Sequence, residues 1–163
     1  MPETGNSSRL FIYKCALVPA QFFEPSSARA MLVETAVIDD ADEVSYVGVP
    51  YYDAVLIYAH RAGEDFLPEM YHLLRLSEKI EEHNRIAASY DGDRLYLVVV
   101  QDREMKLCNS FRAPDFTTAE YFLFMALKKF QMNPEVSDIY FRTPLTEDQR
   151  LSLFQYFRSV EQV

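Results

Sequence analysis

The chain has 163 residues, 49% of them hydrophobic and 25% charged, and 16 Lys and Arg against 25 Asp and Glu leave a net charge of −9. A chain of this length buries roughly 70% of the surface its unfolded form exposes, so it needs no metal or disulfide to fold, and its composition excludes wholesale disorder. The acidic balance repels phosphate backbones and anionic lipid, so neither nucleic acid nor a membrane surface is an expected partner.

Residues 1–8 read as a polar tail. Arg9 to Val18 is rich enough in β-branched and aromatic residues for a strand that ends at Pro19. Pro25 suits the first turn of a helix that continues over 28–36. Asp39, Asp40, Asp42 and Glu43 form an acidic run, read as a solvated loop. Val44 to Val49 and Tyr52 to His60 are two further strands, kept apart by Pro50. A loop or short helix opens at Gly63-Glu64-Asp65 and stops near Pro68. Tyr71 to Leu76 fits strand and helix equally well, and Ser77 to Asn84 favours helix, with Glu78 and Glu82 one turn apart.

From Arg85 the pattern sharpens. Arg85 to Tyr90, Arg94 to Gln101 and Met105 to Phe111 are three strands. Asp91-Gly92-Asp93 is read as a type I′ hairpin turn between the first two, and Asp102-Arg103-Glu104 turns again. The Val98-Val99-Val100 run implies burial on both faces. A helix follows over 117–132, with Thr117 and Glu120 as a capping box. It is apolar nearly all round, so cover is expected on its outer face as well. Asp138 to Arg142 is a strand. Thr146 with Gln149 caps a last helix, whose buried stripe is read as Leu151, Phe154 and Phe157.

Three strands joined by tight turns make an antiparallel meander, and a strand returning after a crossover helix joins it in parallel. That is the ribonuclease-H-like arrangement, which actin-like ATPases carry twice. The expected fold is therefore α/β: an abbreviated first α/β lobe over 9–60, a connecting segment over 61–84, and a ribonuclease-H-like second lobe over 85–163 in which the meander is followed by helix, strand and helix.

Met105-Lys106-Leu107-Cys108-Asn109-Ser110-Phe111, Thr117-Thr118-Ala119-Glu120-Tyr121-Phe122-Leu123 and Asn133-Pro134-Glu135 ahead of Ile139-Tyr140-Phe141 resemble an uncharacterised bacterial family of unknown function. Leu17-Val18-Pro19-Ala20-Gln21-Phe22-Phe23 is similar to an element of that family's first lobe. The resemblance implies an actin-like ATPase fold and no established activity. Against a full two-lobe protein, the chain is expected to lack the opening hairpin of the first lobe, and also the final strand and helix of the second.

Actin-like ATPases hold phosphate with paired Asp-x-Gly hairpin turns, where glycine lets backbone N–H groups approach and an Asp helps hold Mg²⁺. The counterpart here is Asp91, Gly92 and Asp93, the alternative site for ATP with magnesium in the cleft between the lobes. Only 4 glycines are present, and two carboxylates with no Lys beside them repel a triphosphate. A two-metal nuclease on the same topology would use Asp91, Glu120 and Asp138, whose places along their elements do not suit convergence. His60, His72 and His83 are isolated in sequence. Cys15 and Cys108 lie outside any Cys-x-x-Cys pair and read as reduced thiols of a cytoplasmic protein.

The expected function is that of a non-catalytic protein-binding or scaffold module with no cofactor. Its anchors are Tyr51, Tyr52, Phe66, Tyr71 and Tyr156. Its partner is another protein or a second copy of itself, joined through an open sheet edge in the first lobe.

Overall fold

In the computed structural model, which describes residues 11–64 and 66–163, the chain divides into two compact units between His72 and Leu73. The N-terminal tail, Arg9, Leu10 and Asp65 lie outside the described residues.

In the first unit, strand β1 is Cys15–Pro19, shorter than the sequence suggests because residues 11–14 form no ladder. Short 3-10 turns at Ala20–Phe22 and Pro25–Ser27 lead into helix α1, Ala28–Val33, which stops before the expected Ala36. Strand β2, Glu43–Val49, and strand β3, Ala54–His60, are separated by the 3-10 turn Pro50–Tyr52 and by Asp53 in the left-handed region at φ 51°. The sheet order is β1-β3-β2, antiparallel throughout. Ala16, Val18, Val44, Ile57 and Ala59 share a cluster with Ala28 and Leu32 of α1.

The acidic run is not simply solvated. Asp42 is only 7% exposed. Its carboxylate accepts the Asp39 N–H at 3.0 Å and lies 3.0 Å from Arg61 Nε and 3.7 Å from Lys14 Nζ. Arg29 ties the same loop by donating to the Asp42 and Asp39 carbonyls at 2.7 and 2.9 Å. The Asp39 amide and the charges of Arg61, Lys14 and Arg29 hold the Asp42 carboxyl below its ordinary range, against the opposing effect of desolvation.

Helix α2, Glu69–Lys79, carries the boundary between the units. It begins directly after Pro68 and ends earlier than the helical propensity of residues 77–84 suggests, because Asn84 already belongs to a strand. The second unit then runs β4 Asn84–Tyr90, β5 Arg94–Gln101, β6 Glu104–Arg112, α3 Phe116–Lys129, a 3-10 turn Pro134–Val136, β7 Asp138–Phe141, α4 Glu147–Phe154 and β8 Ser159–Gln162. The sheet order is β6-β5-β4-β7-β8. The first three strands pair antiparallel, while β7 joins β4 and β8 joins β7 in parallel. This is the ribonuclease-H-like order. The final strand expected to be missing is present, with Val160 in register with Ile139.

Val98, Val99 and Val100 are all fully buried, as their unbroken apolar run demands. One face of the sheet, with Ile86, Ala88, Leu95, Leu97, Val99, Ile139 and Phe141, clusters with Ala119, Leu123 and Leu127 of α3. Three local readings need correction. Asp115, not Thr117, caps α3: its Oδ1 accepts Thr118 N at 2.8 Å and Thr118 Oγ1 at 2.9 Å. Glu120, relieved of a capping role, accepts the Ser152 hydroxyl of α4 at 2.7 Å. The stripe of α4 is also misplaced. Leu153 is the buried residue and Phe157 is buried just past the helix end, whereas Leu151 is 54% and Phe154 43% exposed. Thr146 and Gln149 do form the expected capping box.

Leu153→Ala should cost about 2–5 kcal/mol in a denaturant titration and Leu151→Ala less than about 0.5 kcal/mol; equal losses would return Leu151 to the core. The Asp42 carboxyl titrates lower in the folded chain than its ordinary 3.8, so its contribution is fully present above that pH and is lost as pH falls below it. The stability gap between wild type and Asp42→Asn should therefore hold steady near neutral pH and close below about 3.8.

Candidate functional site

In a ribonuclease-H-like sheet the C-terminal ends of the neighbouring parallel strands are where ligands gather. Here β4 ends at Tyr90 beside the end of β7. Tyr90 N donates to Thr143 Oγ1 at 2.9 Å, and Arg142 N donates to the Ala88 carbonyl at 3.0 Å. The turn Asp91-Gly92-Asp93 projects from this junction. Of its three residues only Gly92 has positive φ, 94°, so the loop is not the type I′ turn expected. The type I′ signature falls instead on Asp102 and Arg103, at φ 51° and 69° between β5 and β6. A Cβ at Gly92 would meet no atom within 4 Å, so backbone conformation alone selects glycine there.

The turn satisfies itself. Asp91 Oδ1 accepts the N–H groups of Asp93 at 2.8 Å and Arg94 at 2.7 Å. The Asp93 carbonyl accepts Ala113 N at 2.7 Å, fastening the turn to the end of β6. Two amides of the turn, those of Asp93 and Arg94, are thus engaged by a carboxylate of the same loop. Nearby, the Tyr90 hydroxyl donates to the Ala113 carbonyl at 2.7 Å. Burial, and then the charges of Asp115, Asp91 and Asp93, push that phenol above its usual range, which marks the corner as electronegative.

The nuclease carboxylates do not assemble. Asp138 is gripped by Arg158 through two bonds of 2.8 and 2.9 Å, which hold its carboxyl below the usual range. Glu120 is taken by Ser152, and its carboxyl is raised by burial. Among the described residues no group of three or more His, Cys, Asp or Glu is placed to hold a metal ion. His60 bridges Ser45 Oγ at 2.7 Å and the Arg61 carbonyl at 2.9 Å, while His83 meets Asp102 at 2.5 Å. Burial pushes the Cys15 thiol up to about 12, which silences it as a nucleophile at neutral pH.

A different feature was missed in the sequence. Among the described residues strand β6 is an edge of its sheet, and α3 packs beside it. Between them runs a mainly apolar groove of about 310 Å³ whose lining includes Leu107, Phe111, Phe122, Met125 and Phe130, with Asn109 and Lys129 as its polar members. Phe111 and Phe122 stack at 5.0 Å across it. The outer face of α3, expected to be covered, is open: Tyr121 is 60% and Met125 49% exposed. The signal was present in the apolar excess of α3 beyond a single stripe, together with the alternation of Leu107 and Phe111 on β6. Of the aromatic anchors, Tyr51 and Tyr52 are half-buried and meet edge-on at 4.8 Å, Phe66 is exposed, and Tyr71 is half-buried on α2. Tyr156 is exposed beside Phe124 at 4.7 Å.

A crystal structure from Bacteroides thetaiotaomicron VPI-5482, described as a protein with actin-like ATPase fold and unknown function, superposes with a TM-score of 0.76 at 15% identity. The match covers 95% of this chain and 66% of that one, and it shows the actin-like ATPase fold. No curated protein matches. No helix among the described residues is long and apolar enough to cross a membrane. A family model described as protein of unknown function (DUF3822) matches residues 13–160, and the chain belongs to that family.

Proposed function

We propose that this chain is a non-catalytic protein-binding or scaffold module built on the actin-like ATPase fold, and that its docking surface is the groove between β6 and α3. One observation carries this reading. An exposed apolar groove lies beside β6, which is the edge strand of its sheet among the described residues, and the two together would offer side-chain pockets and main-chain hydrogen bonds to one extended or helical partner. The aromatic residues that dominate interface energetics line it on both sides.

The second reading, ATP with magnesium at Asp91, Gly92 and Asp93, is favoured by the fold likeness. Two features oppose it: Asp91 occupies two amides of its own turn, and the carboxylates of Asp91, Asp93 and Asp115 surround the spot, with Arg112 3.6 Å from Asp93. A fold does not carry its usual activity with it.

The two readings separate in a thermal melt. ATP with Mg²⁺ should leave the melting temperature unchanged. A dose-dependent rise of several degrees that Gly92→Val abolishes would replace the protein-binding reading with the nucleotide one. Asp91→Ala serves as the second arm. It frees two backbone donors, so a nucleotide response that appears only in this variant would show that Asp91 is what closes the turn to phosphate.

A further inference from the structure

We propose that the Gln162 side chain is a latch through which the last strand holds the Tyr90 corner closed, so that release of the end of β8 frees a backbone donor where ligands gather in this kind of sheet. The latch is independent of the β6–α3 groove and of the protein-binding reading.

Residues 142–146, between β7 and α4, form neither helix nor strand. Backbone polar groups in such a segment need partners from outside it. Gln162 supplies them for three groups. Its Nε2 donates to the Phe141 carbonyl at 3.0 Å and the Thr143 carbonyl at 2.7 Å, and its Oε1 accepts Leu145 N at 2.9 Å. A carboxamide has two N–H groups and one carbonyl oxygen, so this side chain uses both donors and its acceptor at once. The set also fixes which way the amide points, because two carbonyls cannot face an oxygen. An ionised Glu, with no donor, cannot reproduce it.

Thr143 carries the hold to the corner. It is 5% exposed, and its Oγ1 accepts Tyr90 N at 2.9 Å. One step back along the seam, the bond from Arg142 N to the Ala88 carbonyl at 3.0 Å continues the parallel ladder of β4 and β7. Beyond that bond a side chain, not a backbone carbonyl, meets the Tyr90 amide. A ladder bond is kept in place by the strands themselves. A side-chain bond is kept by whatever fixes the backbone that bears it, and for Thr143 that is Gln162.

Two devices therefore engage backbone donors at this corner: Asp91 on the amides of Asp93 and Arg94, and Thr143 on that of Tyr90. They differ in how they are undone. Asp91 belongs to the loop it closes. Thr143 is held from β8, which is distant in sequence, only 4 residues long and an edge of its sheet among the described residues. Glu161 and Gln162 are exposed, and beyond them Val163 N adds a bond to the Phe141 carbonyl at 2.8 Å. A short exposed edge opens locally at lower free energy than the buried middle of a sheet. The corner can thus be opened from β8 without unfolding the core, and whatever draws the end of β8 off β7 is felt at Tyr90.

Hydrogen exchange of the full chain, read amide by amide, tests the latch. Gln162→Ala should lower the protection of both Leu145 and Tyr90 at least about 5-fold. Ala113, whose N–H is bonded to the Asp93 carbonyl at the same corner, should keep its protection. Gln162→Glu should lower Leu145 and Tyr90 further, since its carboxylate faces two carbonyls. Gln162 is exposed, so both variants should melt within a few degrees of wild type. Thr143→Val should expose the Tyr90 amide while Leu145 stays protected, and adding Gln162→Ala to it should lower Tyr90 no further. A Tyr90 amide indifferent to Gln162→Ala overturns the proposal, as does an equal loss at Ala113 or an additive effect at Tyr90 in the double variant.

Discussion

The parallel seam between Asn84–Tyr90 and Asp138–Phe141 is the interaction on which the second unit depends. Antiparallel neighbours can be joined by a turn of two or three residues, as β4, β5 and β6 are, but a parallel neighbour requires the chain to cross the sheet. The crossing here is α3, and it can lie flat only because β4 and β5 offer a continuous apolar face beneath it. Ile86 sits in register with Ile139 and Ala88 with Phe141, so the seam is also the middle of the core. Once it forms, β8 has an edge on which to add, and the Tyr90 corner is fixed through Thr143 and Ala113.

The same seam fixes what the corner can do. It delivers a turn to the position where ribonuclease-H-like folds place their ligands, but the chemistry of the turn is decided by one side chain. An Asp at the first position of such a loop has a choice of partners: the N–H groups two and three residues on, or a cation. Asp91 takes the N–H groups. That stabilises the loop locally, as Asx turns do, and the same two bonds occupy two backbone donors that a phosphate could otherwise use.

Much of the second unit is legible in the sequence because its signals are local. The valine run, the Asp-Gly loop, the Thr146 capping box and the strand–helix–strand order each act within a few residues, and together they specify the topology. The failures come from tertiary context. Asp115 competes with Thr117 for the N-cap and wins because Ala113 and Tyr90 hold the preceding backbone in place. Leu153 rather than Leu151 is buried because Glu120 and Ser152 set the rotation of α4 against α3. Asp42 is buried because Lys14, Arg29 and Arg61 reach it from other elements of its unit, which no window around residues 39–43 can reveal. The groove was hidden for a similar reason: apolar excess on a helix announces that cover is needed, and only the sheet order shows that no strand of the described chain lies beyond β6 to supply it.

An exposed edge strand is a hazard, because any extended chain can pair with it, and β6 carries the usual defences. Its register slips between Val99 and Val100, which leaves Lys106 as the extra residue of a bulge. Charged residues stand at both ends, and Asn109 covers an amide in the middle. Such devices reject a generic strand while leaving the apolar groove open. On the protein-binding reading proposed above, a partner that supplied only backbone hydrogen bonds would have to displace Asn109 and accommodate the bulge, whereas one that also filled the space over Phe122 and Met125 would gain apolar burial as well. Selectivity on that reading would come from pairing a poor edge with an apolar groove.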